Sequence, residues 1–477
     1  MDRMSDSLID GKRTRSIWMV FAAAAMPMAL AAIDMTAASA ALPTIGQEFQ
    51  SPEYAPFVVI SYLVAATISA PAYGRLADMH GRRNVLLSAL GVFIIGSFLC
   101  GFSTNLYELV ACRFLQGMGG GGLMALAHAL IGEVLSPRQR GYYQGYLSGI
   151  VVAANAIGPV IGGLFSGLWG WRSIFTVSAI IGVAALCIVL LIPRRPPAAA
   201  REPFDFFGLL LFSLTVATSF WLVDMIKNVT SSSYASCMAV AALTAFLVVL
   251  LTHHERRVKA PLFPVPLLMK PVVWRSNAMG SCHGAALVSL TAFYPLYLQE
   301  NFAVTPLESG MLLLPLTAGI GIGALVTGNL VSRSGKTAIY PAIALAMASC
   351  ILLLMSMMQS VVSPNVLSTL LAVVACLMGS VMGVVQILVQ HAAGKAHLGV
   401  ASASVSLFRN IGASLGTALI GTLIVLIAGL WQMPAASVAP NAVASHVGGE
   451  IFALVAVFTS TGSLLAASLM KRVPKQI

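Results

Sequence analysis

Apolar runs of about 20 residues recur from one end of this chain to the other, separated by short connectors that hold most of its charge. Each run is long enough to cross a hydrocarbon core of roughly 30 Å. In such a core only helices and closed barrels satisfy every backbone N–H and C=O, and these runs are too long and continuous for barrel strands. The pattern predicts an all-α polytopic membrane protein with fourteen helices. They fall near 17–43, 55–74, 84–104, 106–132, 141–166, 172–192, 206–226, 234–252, 274–298, 307–331, 338–358, 365–390, 399–429 and 448–470.

The pattern is also written twice. Gly74-Arg-Leu-Ala-Asp-Met-His-Gly-Arg-Arg83 reads as a short charged loop after the second span. Gly328-Asn-Leu-Val-Ser-Arg-Ser-Gly-Lys336 follows the tenth, 254 residues on, with the two glycines seven apart in both. Leu42 to Glu48 echoes Tyr294 to Glu300, and Gly141, Gly158 and Gly163 echo Gly399, Gly416 and Gly421. Spans 1–6 therefore correspond to spans 9–14, with spans 7 and 8 inserted between them. The implied organisation is a tail (1–16), a six-helix half (17–192), a linker with the inserted pair (193–258), a second six-helix half (259–470) and a tail (471–477). Internal repeats of this kind mark secondary transporters, whose sites lie near the midplane.

Composition agrees. Of 477 residues 58% are apolar and 9% charged, with mean hydropathy +0.89, too little polarity to cover a soluble protein of this size. A net charge of +11 would suit a nucleic-acid partner, but its placement excludes one. Of 27 Lys and Arg, 23 fall on the side shared by both termini and the even-numbered connectors, among them Lys12, Arg13, Arg15, Arg138, Arg140, Arg194, Arg195, Lys471 and Arg472. The exceptions are Arg172 and Lys227 on the other side and Arg113 and Arg409 inside spans. By the positive-inside rule both termini are cytoplasmic. Ala38-Ser39-Ala40 mimics a signal-peptide cleavage site, but the run before it is about twice an ordinary signal core and contains Asp34. The seven Cys show no CxxC spacing and read as packing residues, with no disulfide and no metal site. Gly335-Lys336-Thr337 ends like a phosphate-binding loop, but Leu330 stands where Gly is required. No cofactor is expected, so energy should come from an ion gradient.

Asp34 lies nine residues before Pro43, about 14 Å from the outer end of its helix at 1.5 Å per residue. A carboxylate at that depth is costly unless it faces a cavity or a partner, and the bland alternative is an acid bonded inside the bundle. Arg113, about 10 Å into the fourth span, can reach the same depth. Gly149, then Gly158-Pro159-Val-Ile-Gly162-Gly163, permit close packing and a bend in the fifth span. Asn155 and Arg409 fall near mid-membrane in spans 5 and 13, where they could line a central cavity. Glu133 is placed to neighbour the loop arginines, Asp224 and Lys227 read as an interfacial pair, and His128 and His283 as ordinary polar residues near helix ends.

In these segments, and over nearly its whole length, the chain resembles the major facilitator superfamily, in its fourteen-helix drug:proton antiporter branch. The resemblance implies two six-helix halves plus an inserted helix pair. It makes Gly74, Asp78, Gly81, Arg82 and Arg83 a cytoplasmic gate that latches the outward-facing state, with the glycines permitting a tight turn and Arg82 and Arg83 facing headgroups. Ser332 stands where the second copy would have its Asp. Ile33 to Pro43 resembles the helix 1 signature, with Ser39 for the usual Asn, and Arg113-Phe-Leu-Gln-Gly-Met-Gly119 the motif whose Arg is linked to proton transfer. Gly158 to Gly163 resembles the antiporter motif. The expectation is a monomeric, proton-coupled exporter of lipophilic compounds, cations included, in a bacterial inner membrane. A periplasmic adaptor would join it where the host has an outer membrane. The rival is an uptake symporter of the same fold for a small nutrient.

Overall fold

A computed structural model describes the chain except residues 1, 52–53, 56, 136, 194–202, 228–233, 260, 303, 305, 359–361, 395–396, 431–449 and 471–477. Arg194, Arg195, Lys471, Arg472 and the tail 471–477 lie outside the described residues, as do the side chains of Lys12, Arg13, Arg15 and Arg138. Among the described residues the fold is helical throughout. In chain order the helices are α1 (Asp2–Ala40), α2 (Leu42–Glu48), α3 (Phe57–His80), α4 (Arg82–Phe102), α5 (Leu106–Val134), α6 (Pro137–Trp169), α7 (Arg172–Leu190), α8 (Phe206–Lys227) and α9 (Tyr234–Arg257). There follow α10 (Val265–Leu268), α11 (Pro271–Phe302), α12 (Pro306–Ser334), α13 (Ile339–Met357), α14 (Pro364–Met378), α15 (Ser380–Ala393), α16 (Leu398–Leu430) and α17 (Glu450–Met470). A helix lies over every expected span, and among the described residues eleven helices are long and apolar enough to cross a membrane.

Local chemistry sets several boundaries. Pro137, Pro271, Pro306 and Pro364 open helices, where the missing N–H costs nothing. Asn105 caps α5 by accepting from Glu108 N at 2.9 Å, while Glu108 reaches back to Thr104 N at 2.9 Å. The expected span 365–390 is divided into α14 and α15 at Gly379. A side chain there would run into the Ile320 carbonyl of α12, so glycine lets the break lie flat against that helix.

The chain forms two compact units. One comprises Met1–Val216, Leu250–Val265 and Ala393–Ser406, the other Ala217–Val249, Pro266–Ala392 and Leu407–Ile477. Their borders fall inside α8, α9, α10, α15 and α16. In the first unit α5 is the central post, with α3 on one side and α4 on another, and α1 packs against α6. The run Gly117 to Gly122 makes this possible. Methyl groups on Gly117, Gly120 or Gly121 would strike Tyr62 or Ala66 of α3, and one on Gly119 would strike Ala89 and Phe93 of α4. Small residues permit this backbone approach, which apolar side chains alone do not drive in lipid. In the second unit Gly319 and Gly323 seat α12 on α14, and Ser349 and Thr459 share a buried hydrogen bond of 2.7 Å between α13 and α17.

Arg172, an exception to the charge rule, proves to be a tie between helix ends. It donates to Glu48 Oε1 at 2.5 Å and to the Ser103 carbonyl at 2.9 Å, while Trp171 Nε1 donates to Glu48 Oε2 at 2.6 Å. The hydrogen bond from Arg172 is the main cause that holds the Glu48 carboxyl below its ordinary 4.5. A depressed folded value adds stability that is present above about pH 4.5 and lost as pH falls through the folded value. Both side chains are more than a third exposed, so solvent screening keeps the contribution below about 1 kcal/mol. Glu48→Gln should lower the melting temperature slightly at pH 7 and not at pH 3; a deficit of equal size at both values would contradict this.

Candidate functional site

Asp34 and Arg113 meet inside the first unit. Arg113 Nη1 lies 2.6 Å from Asp34 Oδ2, and both side chains are 0% exposed. Gln116, one helical turn beyond Arg113, accepts from the same Nη1 at 2.6 Å. Its Nε2 donates to Asp34 Oδ1 at 2.9 Å and to Ser97 Oγ at 2.7 Å. Arg113 Nε reaches the Val58 carbonyl at 3.2 Å, leaving Nη2 without a hydrogen-bond partner among the described residues. The guanidinium lies 4.4 Å from the Tyr62 ring centre and 5.5 Å from that of Phe175. Five helices thus surround one ion pair. Both carboxylate oxygens accept a hydrogen bond, and the group is sealed from solvent. Removing one member of such a pair strands the other charge at a cost of about 3–5 kcal/mol.

Sequence reasoning placed the pair and missed Gln116. The signal was there, since a residue three on from Arg113 shares its helix face. Tyr62, Ser97 and Phe175 carry no comparable mark.

The expected gate is built differently from a loop. Helix α3 runs on to His80, so Gly74 and Asp78 are helical, and the turn shrinks to Gly81, whose φ of 88° favours a residue without Cβ. Gly74 serves close approach instead: a Cβ there would stand 2.7 Å from the Gly399 carbonyl. Asp78, 0% exposed, accepts from the N–H groups of Gly399 at 3.1 Å and Val400 at 3.4 Å, in the first turn of α16. Exposed donors at a helix start favour a carboxylate. Arg82 does not face headgroups. It is buried, bonded to Asp78 at 2.9 Å and to Glu133 at 2.7 Å, because it opens α4 directly beside both acids. Arg83 instead donates to the Leu190 carbonyl at 2.8 Å at the end of α7. In the second unit Gly335 repeats the turn with φ 68°, but among the described residues no carboxylate pairs with Arg333 or Lys336.

The glycines of α6 separate by face. Gly158 and Gly162, four apart, press on α1 at Ile33, Thr36 and Ala37, within a turn of Asp34. Gly163 has nothing within 4 Å of a would-be Cβ and is exposed with Pro159, so it takes no part in this packing. Gly149 is half-buried and Asn155 exposed. Arg409, half-buried, belongs to the second unit, where among the described residues Nη2 reaches only Asn410 Oδ1 at 3.3 Å. His283 is not near a helix end; it is the thirteenth residue of α11 and 4% exposed. His128 bonds Gln144 at 2.6 Å. The side chains of Asp224 and Lys227 lie outside the described residues.

Long apolar helices packed around a buried acid–base pair place this chain among polytopic membrane proteins. Residues 25–417 match the Major Facilitator Superfamily, and the chain belongs to it. It is 33% identical over 411 residues to an uncharacterized MFS-type transporter of Mycobacterium tuberculosis, covering 85% of this chain and 59% of that protein. It is 28% identical over 400 residues to the multidrug transporter protein MdtP of Bacillus subtilis, covering 83% and 73%. With efflux pump dotC of Dothistroma septosporum the identity is 30% over 340 residues, covering 69% and 58%. The chain thus spans under two thirds of the length of several relatives that it matches. Among solved structures, the proton:xylose symporter XylE aligns with TM-score 0.63 at 16% identity, covering 97% of each chain. The human organic anion transporter MFSD10 aligns with TM-score 0.59 at 13% identity, covering 95% and 99%. Both likenesses concern the fold alone.

The two faces of α6 give a paired test. Gly162→Leu should cost about 1–3 kcal/mol by overpacking against α1, read as a lower melting temperature in detergent. Gly163→Leu should be nearly neutral, and equal losses would refute the division.

Proposed function

We propose that this chain is a proton-coupled exporter of lipophilic compounds that works by alternating access. The observation that carries the reading is the Asp34, Arg113 and Gln116 network, a carboxylate and its counter-ion withdrawn from water within a transporter fold. Acids in a membrane interior are costly and are functional by default. A proton admitted to Asp34 would cancel its charge and release Arg113 from the pair, so one binding event would change the packing of five helices. Each protonation state would then favour a different arrangement, which is what coupling requires. Asp78, bonded to the first turn of α16, serves as the gate that closes with one of them. We place the fourteen helices across a bacterial inner membrane with both termini cytoplasmic. The protein acts as a monomer driven by the proton gradient, without cofactor or nucleic acid. In a host with an outer membrane a periplasmic adaptor receives the cargo.

Export is favoured over uptake by the Gly-Pro motif in α6 and by relatives named as efflux pumps or multidrug transporters. The symporter reading has the fold neighbour XylE behind it, which bears on architecture only. Cells expressing the protein should lose a lipophilic dye faster than control cells, and dye accumulation would favour uptake. Asp34→Asn should cut proton-dependent efflux more than about tenfold with protein still in the membrane. Undiminished efflux in that variant removes Asp34 from the mechanism.

A further inference from the structure

The second unit contains an arginine with no carboxylate partner among the described residues. Arg409 is the twelfth residue of α16, about 16 Å along the helix from its start. Its one hydrogen bond is the 3.3 Å contact with Asn410, and no carboxylate pairs with it among the described residues. The sequence shows why. No Asp or Glu occurs between Glu308 and Glu450. The acids of this unit are Asp224, Glu300, Glu308 and Glu450, each within three residues of the end of α8, α11, α12 or α17. None sits on a helix interior where Arg409 sits.

His283 of α11 lies beside it. Ser281 Oγ donates to the Phe408 carbonyl at 2.7 Å, and a methyl on Gly284 would strike the carbonyl of Arg409, so α11 and α16 touch at this turn. The Arg409 charge acts on the His283 ring, whose Nδ1 is buried and has no hydrogen-bond partner among the described residues. At the Asp34 site every charge has its counterpart within the chain. Here, among the described residues, the guanidinium has only the neutral Asn410 amide oxygen as acceptor and the imidazole Nδ1 has no partner. A planar guanidinium fork matches a carboxylate, and such a charge-assisted bond is strong away from water.

We propose that Arg409 and His283 form a subsite for one anionic group, a carboxylate or sulfonate, on an otherwise lipophilic cargo. The transported class is then amphiphilic acids, and the ground for cations fails because Asp34 is already held by Arg113 and Gln116. The inference rests on the export reading for the direction of transport but not for binding.

The test is equilibrium binding to the full chain in lipid nanodiscs, using dansylaminoundecanoic acid, its methyl ester and a dansyl quaternary ammonium analogue. Wild type should bind the acid about tenfold or more tightly than the ester, with the cation weakest. Arg409→Gln should bring acid down to ester affinity without changing ester binding, Arg409→Lys should retain part of the preference, and His283→Gln should weaken the acid a few-fold. Equal binding of acid and ester by wild type, a preference for the cation, or an acid preference intact in Arg409→Gln would overturn the subsite. If Arg409→Gln does not fold, the wild-type ratio and His283→Gln decide. Wild type that selects the acid but moves none of it against a proton gradient in vesicles would defeat the export reading while the subsite stands.

Discussion

The Asp34 carboxylate and the Arg113 guanidinium, 2.6 Å apart and sealed from solvent, can exist together in this interior only because neighbours satisfy them. That requirement reaches through the first unit. Gln116 ties the acid to Ser97 of α4, and Tyr62 of α3 covers the guanidinium. Tyr62 can do so because Gly117 and Gly120 leave room for its backbone and ring. The glycine run that follows Arg113 and the ion pair are therefore one construction, in which close helix approach supplies the shell a buried charge needs.

Two other features attach to it mechanically. Gly158 and Gly162 set α6 against the stretch of α1 that carries Asp34, so a shift of α1 must be accommodated along α6. At the other end of the same unit, Asp78 accepts from two backbone N–H groups of α16 and from Arg82, which is shared with Glu133. Each contact in this second cluster uses a charge with a backbone or ionic partner, and none depends on headgroups.

The helices were legible because hydrophobic length is a direct physical requirement of the bilayer, and among the described residues eleven of them are long and apolar enough to cross one. The Asp34 and Arg113 pairing was legible from their similar depth together with the motif that Arg113 opens. Boundaries at charged residues were not. Arg75 and Asp78 read as loop because they are charged, yet both are buried in α3, where Asp78 finds partners far along the sequence in Gly399 and Val400. Arg172 looked like an anomaly for the same reason, its partner Glu48 lying 124 residues back. Gly163 could have been read better. Gly158 and Gly162 stand four positions apart on one helix face, and the fifth position turns away from it.

Gly81 and Gly335 stand 254 residues apart, and both hold positive φ, each with its N–H bonded at 2.9 Å to the carbonyl four residues before. Asp78 and Ser332, by contrast, have diverged. A left-handed backbone penalises nearly every replacement whatever surrounds it, whereas a charged contact matters only while its partner exists. The turn is thus the feature that tolerates the least substitution, while the charge is free to change with its surroundings. The two stretches share a turn, and among the described residues only the first ties its charge to a carboxylate.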